Sequence, residues 1–367
     1  MTMRCDIAAL AMPGVRGLSP YQPGKPLEEL EREYGVRNAV KLASNENPLG
    51  PSPKAVAAAR AALENVLRYP DGGAFQLKRA LARHLGVDAA QITVGNGSND
   101  VLEFAARAFT GSDCEVIFSA HAFAVYPIVT QAVGAKAVVT PAREWGHDLD
   151  AMRAAINERT RLIFIANPNN PTGTWLRATD LQAFILGVPQ HVIVVVDEAY
   201  FEYVDQSEYA SMLELVGRCP NLIVARTFSK AYGLAGLRVG YAVSTPDVAD
   251  ILNRVRQPFN VNSLALAAAT AALDDGEHLR KAIALNREGM RQITLGVERL
   301  GLSFIPSVGN FVCIDLARPA AAIYEKLLRQ GVIVRPIANY GMPNHLRVTI
   351  GLAPENERFL QALEKVI

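Results

Sequence analysis

The stretch His191-Val192-Ile193-Val194-Val195-Val196-Asp197-Glu198-Ala199-Tyr200 decides how this chain is read. Its five consecutive β-branched residues, Val192 to Val196, suit a strand buried on both faces of a parallel sheet, where apolar and polar side chains no longer alternate. An acid, Asp197, falls at the carboxyl end of that strand, the edge at which open α/β sheets hold their ligands. Standing alone, Asp197 reads as a helix N-cap or a turn residue.

Two further apolar runs end in polar groups. Downstream, Leu222-Ile223-Val224-Ala225 leads into Thr227-Phe228-Ser229-Lys230, with Gly233, Gly236 and Arg238 following. An amine just past the end of a buried strand, beside hydroxyls and glycines able to hold a phosphate, is what a lysine needs to form a Schiff base with pyridoxal phosphate. Most lysines are solvated surface residues, so Lys230 carries this reading only in company. Upstream, Leu162-Ile163-Phe164-Ile165-Ala166 stops at Asn167-Pro168-Asn169-Asn170-Pro171-Thr172-Gly173, a stiff turn that leaves amide side chains free to enter the crevice. Asn170 can donate to the phenolic oxygen of such a cofactor, and Asp197 can keep its ring nitrogen protonated so that the ring accepts electrons. An amide, an acid and an amine on three strand ends point to a pyridoxal-phosphate enzyme.

A fourth strand end supplies an anion site. Ile92-Thr93-Val94-Gly95-Asn96-Gly97-Ser98-Asn99-Asp100 runs into a stretch with helical spacing, so a helix N-terminus and its free amides follow a glycine turn. Ser98 or Asn99 could simply cap that helix. With Thr227, Ser229 and Arg238 they form a plausible phosphate cup.

Composition narrows the field. The chain has 367 residues, half of them hydrophobic, enough for one large core and a smaller one. A net charge of +1 without a basic run argues against a nucleic-acid partner. Cys5, Cys114, Cys219 and Cys313 are scattered and read as reduced thiols, and the six histidines lack ligand-like spacing, so no metal site is expected. Ile7 to Met12 is too short to span a membrane, and the protein reads as cytoplasmic.

Residues 1–45, rich in Pro and Gly around Tyr21, read as an N-terminal arm. Residues 46–250 alternate helices with short apolar strands, which predicts a mostly parallel sheet between helices. Residues 251–367 have few strands with helices between them, the pattern of a smaller α+β domain. Arg335 and Arg347 fall in its short strands, where they could grip an anion in two-point fashion or stand as ordinary edge-strand arginines. Tyr21, Tyr69, Phe123 and Tyr200 are ambiguous on their own, since aromatic residues are usually core.

The motifs at 167–173, Asp197-Glu198-Ala199-Tyr200 and Thr227-Phe228-Ser229-Lys230 together resemble the fold-type I pyridoxal-phosphate aminotransferases. More narrowly, Ser44-Asn45-Glu46-Asn47-Pro48, Tyr69-Pro70-Asp71-Gly72, Asn96 to Asp100 and Leu346 to Gly351 look like the histidinol-phosphate aminotransferases. That resemblance implies a homodimer with shared active sites that exchanges an amino group between histidinol phosphate and 2-oxoglutarate in histidine biosynthesis. It implies Lys230 on the cofactor aldehyde, Asp197 on the ring nitrogen, and Asn170 with Tyr200 on the phenolic oxygen. Ser98, Asn99, Thr227, Ser229 and Arg238 would hold the cofactor phosphate, with Tyr69 reaching in from the other subunit. Arg347 would bind the glutamate carboxylate, and Arg335, Tyr21 and Arg347 the substrate phosphate, with Asn45 also in the substrate set. One departure is Phe123, where many relatives carry a tyrosine on the cofactor ring; stacking survives and the hydroxyl is lost. An aromatic amino-acid aminotransferase shares every cofactor residue, and a related decarboxylase uses the same lysine.

Overall fold

The computed structural model describes residues 5–367, so the first four residues of the expected arm lie outside the described residues. Seven strands make the main sheet: β1 (Ile92–Gly95), β2 (Glu115–Ser119), β3 (Lys136–Thr140), β4 (Thr160–Ala166), β5 (Ile193–Asp197), β6 (Leu222–Thr227) and β7 (Gly240–Val243). Their spatial order is β1-β7-β6-β5-β4-β2-β3, with only β7 antiparallel to its neighbours. The fold is thus the α/β architecture that the apolar run at 192–196 predicts.

Both faces of the central strands are covered. Ile163 and Ile165 of β4, Val194 and Val196 of β5, and Leu222 and Val224 of β6 enter one core, against Leu77, Leu81, Leu181 and Phe184 from flanking helices. The alternate residues Leu162, Phe164, Val195, Ile223 and Ala225 enter a second core on the other face, with Val101, Leu102, Tyr126 and Leu252. Each fully buried aliphatic side chain contributes about 1.5–3 kcal/mol, which is why Leu162–Ala166, Ile193–Val196 and Leu222–Ala225 are apolar throughout.

Four more strands, β8 (Ser303–Ile305), β9 (Phe311–Asp315), β10 (Arg335–Ile337) and β11 (Met342–Thr349), form an antiparallel sheet in the order β8-β9-β11-β10. Val312, Leu346, Val348, Phe359 and Leu363 are among the residues of its core. Two segments pack where composition alone did not place them. The arm contains a helix, Leu27–Tyr34, and its Val40-Lys41 pairs in parallel with Val332-Ile333, while Leu42 enters the C-terminal core. The alanine-rich helix Ser263–Leu273 packs against helices Pro53–Leu63 and Phe75–Leu85 and adds Ala265, Ala268, Ala269 and Ala272, small side chains that allow close approach, to the core on one face of the main sheet. The long helix Gly276–Arg299 then leads across to the second sheet, burying Ile293 and Val297 there.

Among the described residues, no helix is long and apolar enough to cross a membrane, and no cluster of His, Cys, Asp and Glu could hold a metal ion.

Candidate active site

Register brings the strand ends together. Ala166 at the end of β4 pairs with Asp197 of β5, and Asp197 pairs with Ala225 of β6. Thr227 of β6 pairs with Gly240 of β7, which pairs with Gly95 at the end of β1. The turns carrying Asn170, Tyr200, Lys230 and Ser98 therefore leave the sheet along one edge and line one cavity of about 200 Å³.

Lys230 stands in the wall of that cavity. Its Nζ donates to the Ser44 carbonyl at 3.3 Å and lies 5.7 Å from the centre of the Tyr200 ring. Burial, reinforced by the Arg347 and Arg238 charges and opposed by Glu46 and Asp197, lowers its pKa to about 8. Asp197 is buried, its Oδ2 accepting from the Tyr126 hydroxyl at 3.1 Å and its Oδ1 from the Ala199 N–H at 3.2 Å. Burial lifts its pKa to about 6 against the pull of those two hydrogen bonds, so a cationic partner is what this carboxylate lacks. The next residue, Glu198, faces the opposite side of the sheet, where it forms a buried ion pair with Arg226 at 2.8 Å and accepts from Ser211.

The anion cup forms at the start of helix Ser98–Phe109. Two glycines make room for it: a Cβ on Gly97, at φ +84°, would lie 2.3 Å from Arg238 Nη2, and one on Gly240 would lie 2.4 Å from the Ser98 nitrogen. Arg238 also donates to Ser229 Oγ at 3.3 Å, and Thr227, Ser98 and Asn99 line the same end of the cavity. Helix-terminal amides, three hydroxyls and a guanidinium fit a phosphate group. Gly233 and Gly236 take no part in this cup. Gly233 is required by the close passage of the Gly50 carbonyl, 2.2 Å from where its Cβ would stand.

The second sheet closes the cavity from above. Arg335 and Arg347 are paired directly across β10 and β11. Arg347 donates to Asn170 Oδ1 at 2.6 Å and to the Ala43 carbonyl at 2.8 Å, and its buried Nε has no partner among the described residues. Because Asn170 presents its oxygen to Arg347, its NH₂ is left for the cavity. Arg335 donates to the Gln22 carbonyl and lies 5.8 Å from the Tyr21 ring centre. Phe123 lines the cavity and meets Tyr126 edge-on, and Asn45 donates to the Tyr200 hydroxyl at 2.8 Å.

Of the site residues singled out from sequence, Tyr69 stands away from this chain's own cavity, 83% exposed and stacked on Phe259 at 4.8 Å, and Asp197 is buried beside the cavity rather than in its lining. Tyr126 went unassigned, although its place three residues after Phe123, one helical turn on, was a usable signal. The Ser44 carbonyl and the Thr349 hydroxyl left no sequence signal, since their roles depend on packing across the two sheets.

The sequence pattern of the aminotransferase class I and II family matches residues 37–363. The chain is 62% identical over 367 residues to histidinol-phosphate aminotransferase 2 of Pseudomonas fluorescens, covering 100% of this chain and 99% of that protein. It is 59% identical over 358 residues to histidinol-phosphate aminotransferase 1 of Nitrosococcus oceani, covering 98% of this chain and 97% of that one. Among solved structures, histidinol-phosphate aminotransferase from Sinorhizobium meliloti in complex with pyridoxal-5′-phosphate superposes with a TM-score of 0.90 at 32% identity, covering 97% of each chain.

Proposed function

The chain belongs to the class I and II aminotransferases, and on that premise we propose that it exchanges an amino group between L-histidinol phosphate and 2-oxoglutarate in histidine biosynthesis, with pyridoxal 5′-phosphate as cofactor. The observation that carries the proposal is the pairing of Arg335 with Arg347 in one cavity with Lys230. Arg238 and the helix terminus serve the cofactor phosphate, so the other two guanidiniums remain for the substrate. Arg347 suits the carboxylate of glutamate; Arg335, with Tyr21 against it, suits the phosphate of histidinol phosphate.

Pyridoxal phosphate, when bound, supplies an electron-accepting ring conjugated to the nitrogen being exchanged. Lys230 would hold it covalently and, as a free amine, would move a proton between the substrate α-carbon and the cofactor. Asp197 would keep the ring nitrogen protonated, Asn170 and Tyr200 would hold the phenolic oxygen, and Phe123 would stack on the ring. Ser98, Asn99, Thr227, Ser229 and Arg238 bind the phosphate. Tyr69 points to a homodimer: it is exposed here, beside exposed Leu63, Leu67 and Phe75, as a residue destined for a neighbouring subunit's site would be. We place the enzyme in the cytoplasm, with its cysteines reduced.

Two measurements test this reading. The neutral amine is the nucleophile, so below pH 8 the rate at which the apoprotein captures pyridoxal phosphate is expected to rise with pH, up to about tenfold per unit, and to level off above the Lys230 pKa of about 8. A rate still climbing at pH 10 would mean an ordinary solvated lysine. Steady-state assays with histidinol phosphate and with phenylalanine, each against 2-oxoglutarate, are expected to favour histidinol phosphate by kcat/KM. Arg335→Gln should raise its KM about 10- to 100-fold, the worth of one charged hydrogen bond at roughly 1.5–3 kcal/mol, and spare phenylalanine. Comparable efficiencies for the two amines would instead favour a broad aromatic aminotransferase.

A further inference from the structure

The Tyr200 hydroxyl has one proton, and the structure determines where it can go. Asn45 lies between Tyr200 and the second sheet, only 1% exposed and held at φ +55°, a left-handed conformation that asparagine tolerates better than most residues. Its backbone N–H donates to Thr349 Oγ1 at 2.9 Å, so that oxygen is an acceptor there. The Thr349 O–H in turn finds Asn45 Oδ1 at 3.2 Å. The Asn45 side chain therefore turns its oxygen to Thr349 and its NH₂ to Tyr200, 2.8 Å from the phenol oxygen. The flipped amide would leave the Thr349 O–H with no acceptor among the described residues, in a site that is only 4% exposed. A third contact, from Asn310 Nδ2 to the Asn45 carbonyl at 3.0 Å, ties the Asn45 backbone in place.

An amide NH₂ donates and never accepts. Tyr200 is thus the acceptor in its bond with Asn45, and its own O–H is free to turn into the cavity it lines. We infer that Thr349 and Asn45 are positioning residues that hold the Tyr200 hydroxyl as a hydrogen-bond donor toward the cofactor's phenolic oxygen. The inference rests on the reading of the cavity as a pyridoxal-phosphate site and goes beyond it in two ways: Asn45 acts on Tyr200 rather than on the substrate, and Thr349, to which no role had been given, acts through Asn45. Burial pushes the Tyr200 pKa well up, so the proton is present at neutral pH. Thr349 lies two residues beyond Arg347 on β11, on the same face of the strand. The strand that presents the substrate-binding guanidinium therefore also orients the phenol.

The test is a visible-absorbance pH titration of the bound cofactor in the holoenzyme and in Thr349→Val, Thr349→Ser, Asn45→Gly and Tyr200→Phe, with cofactor dissociation constants measured alongside. A donor on the phenolic oxygen favours its anion, so removing the donor raises the titration midpoint. Tyr200→Phe is expected to raise it by about 0.4–1 unit, the worth of one hydrogen bond. Thr349→Val, which replaces the hydroxyl by a methyl, is expected to move it in the same direction by a smaller amount, with Thr349→Ser restoring it. Asn45→Gly keeps the left-handed backbone and is expected to match Tyr200→Phe; it decides the matter if Thr349→Val does not fold. Wild-type midpoints in Thr349→Val and Asn45→Gly beside a shifted Tyr200→Phe would overturn the positioning chain and leave the cofactor site standing. A wild-type protein that binds no pyridoxal phosphate would overturn the site itself.

Discussion

Lys230→Ala is expected to abolish amino transfer while leaving the fold intact. The residue is asked to do two things, to hold the cofactor and to move a proton at the substrate α-carbon, and the second alone is worth about 10²–10⁴-fold in rate. No neighbour can take over. Arg238 and Arg347 carry permanent charge, and Tyr200 is held protonated by burial. Stability should not suffer. Folding lowers the lysine pKa from 10.5 to about 8, so below pH 8 the folded chain bears the cost of a buried ammonium, and that cost fades between pH 8 and 10.5. Its upper limit is roughly 3 kcal/mol at about 1.4 kcal/mol per unit, discounted because the amine still meets the cavity. The apo variant should accordingly melt at or above the wild-type temperature at pH 7. Retained transaminase activity in this variant would remove the basis of the assignment.

Asp197→Asn should give the second largest loss of activity, again with a gain in stability of the apoprotein. Removing one member of a buried charge pair costs about 3–5 kcal/mol, so single-turnover proton abstraction is expected to slow by about 10²–10⁴-fold. Cofactor affinity should fall less, because the Arg238 cup and Lys230 are untouched. In the apoprotein the carboxylate forms no ion pair among the described residues, and burial on folding raises its pKa from 3.8 to about 6. Below pH 3.8 it is protonated in both the folded and the unfolded chain and costs nothing. The cost builds from pH 3.8 to 6 and is complete above 6, at most roughly 3 kcal/mol. Denaturant unfolding of apo Asp197→Asn at pH 8 should therefore show a more stable protein than wild type, with the gap closing near pH 4. Normal single-turnover rates would exclude an electron-sink role for Asp197, and an unchanged stability gap across this range would exclude its buried, raised titration.

A shared physical logic joins these two sites. Asp197 and Glu198 are adjacent carboxylates at the end of one strand, and the two-residue period of β structure sends them to opposite faces. Glu198 meets Arg226 at 2.8 Å and is neutralised on the spot, whereas Asp197 meets only a phenol and a peptide N–H. The acid left without a countercharge is the one buried at the strand end just before the lining residues Ala199 and Tyr200, placed for a ligand that brings its own positive charge.

The central strands were legible because a strand covered on both faces must be apolar along its whole length, so Val192 to Val196, Leu162 to Ala166 and Leu222 to Ala225 announce a parallel sheet directly. The functional groups were legible for a related reason: the polar turns that follow such runs emerge at the ligand edge, which marked Asp197, Asn170 and Lys230. The packing of residues 27–43 against the C-terminal sheet, and of the alanine-rich helix Ser263–Leu273 against the helices Pro53–Leu63 and Phe75–Leu85, left no such mark. A short amphipathic segment or a small-residue stripe fits more than one neighbour.

Local patterns in the chain thus determined the sheet, the order of the strand ends and the chemistry each end carries, because these follow from the backbone period and from which side chains tolerate burial. Only the tertiary structure decided that Tyr126 props Asp197, that the Ser44 carbonyl receives Lys230, that Arg335 faces Arg347, and that Thr349 orients Asn45 toward Tyr200. Most of these contacts join residues far apart along the chain, and hydrogen-bond direction depends on ångström-scale register between two packed sheets, which no stretch of sequence contains by itself.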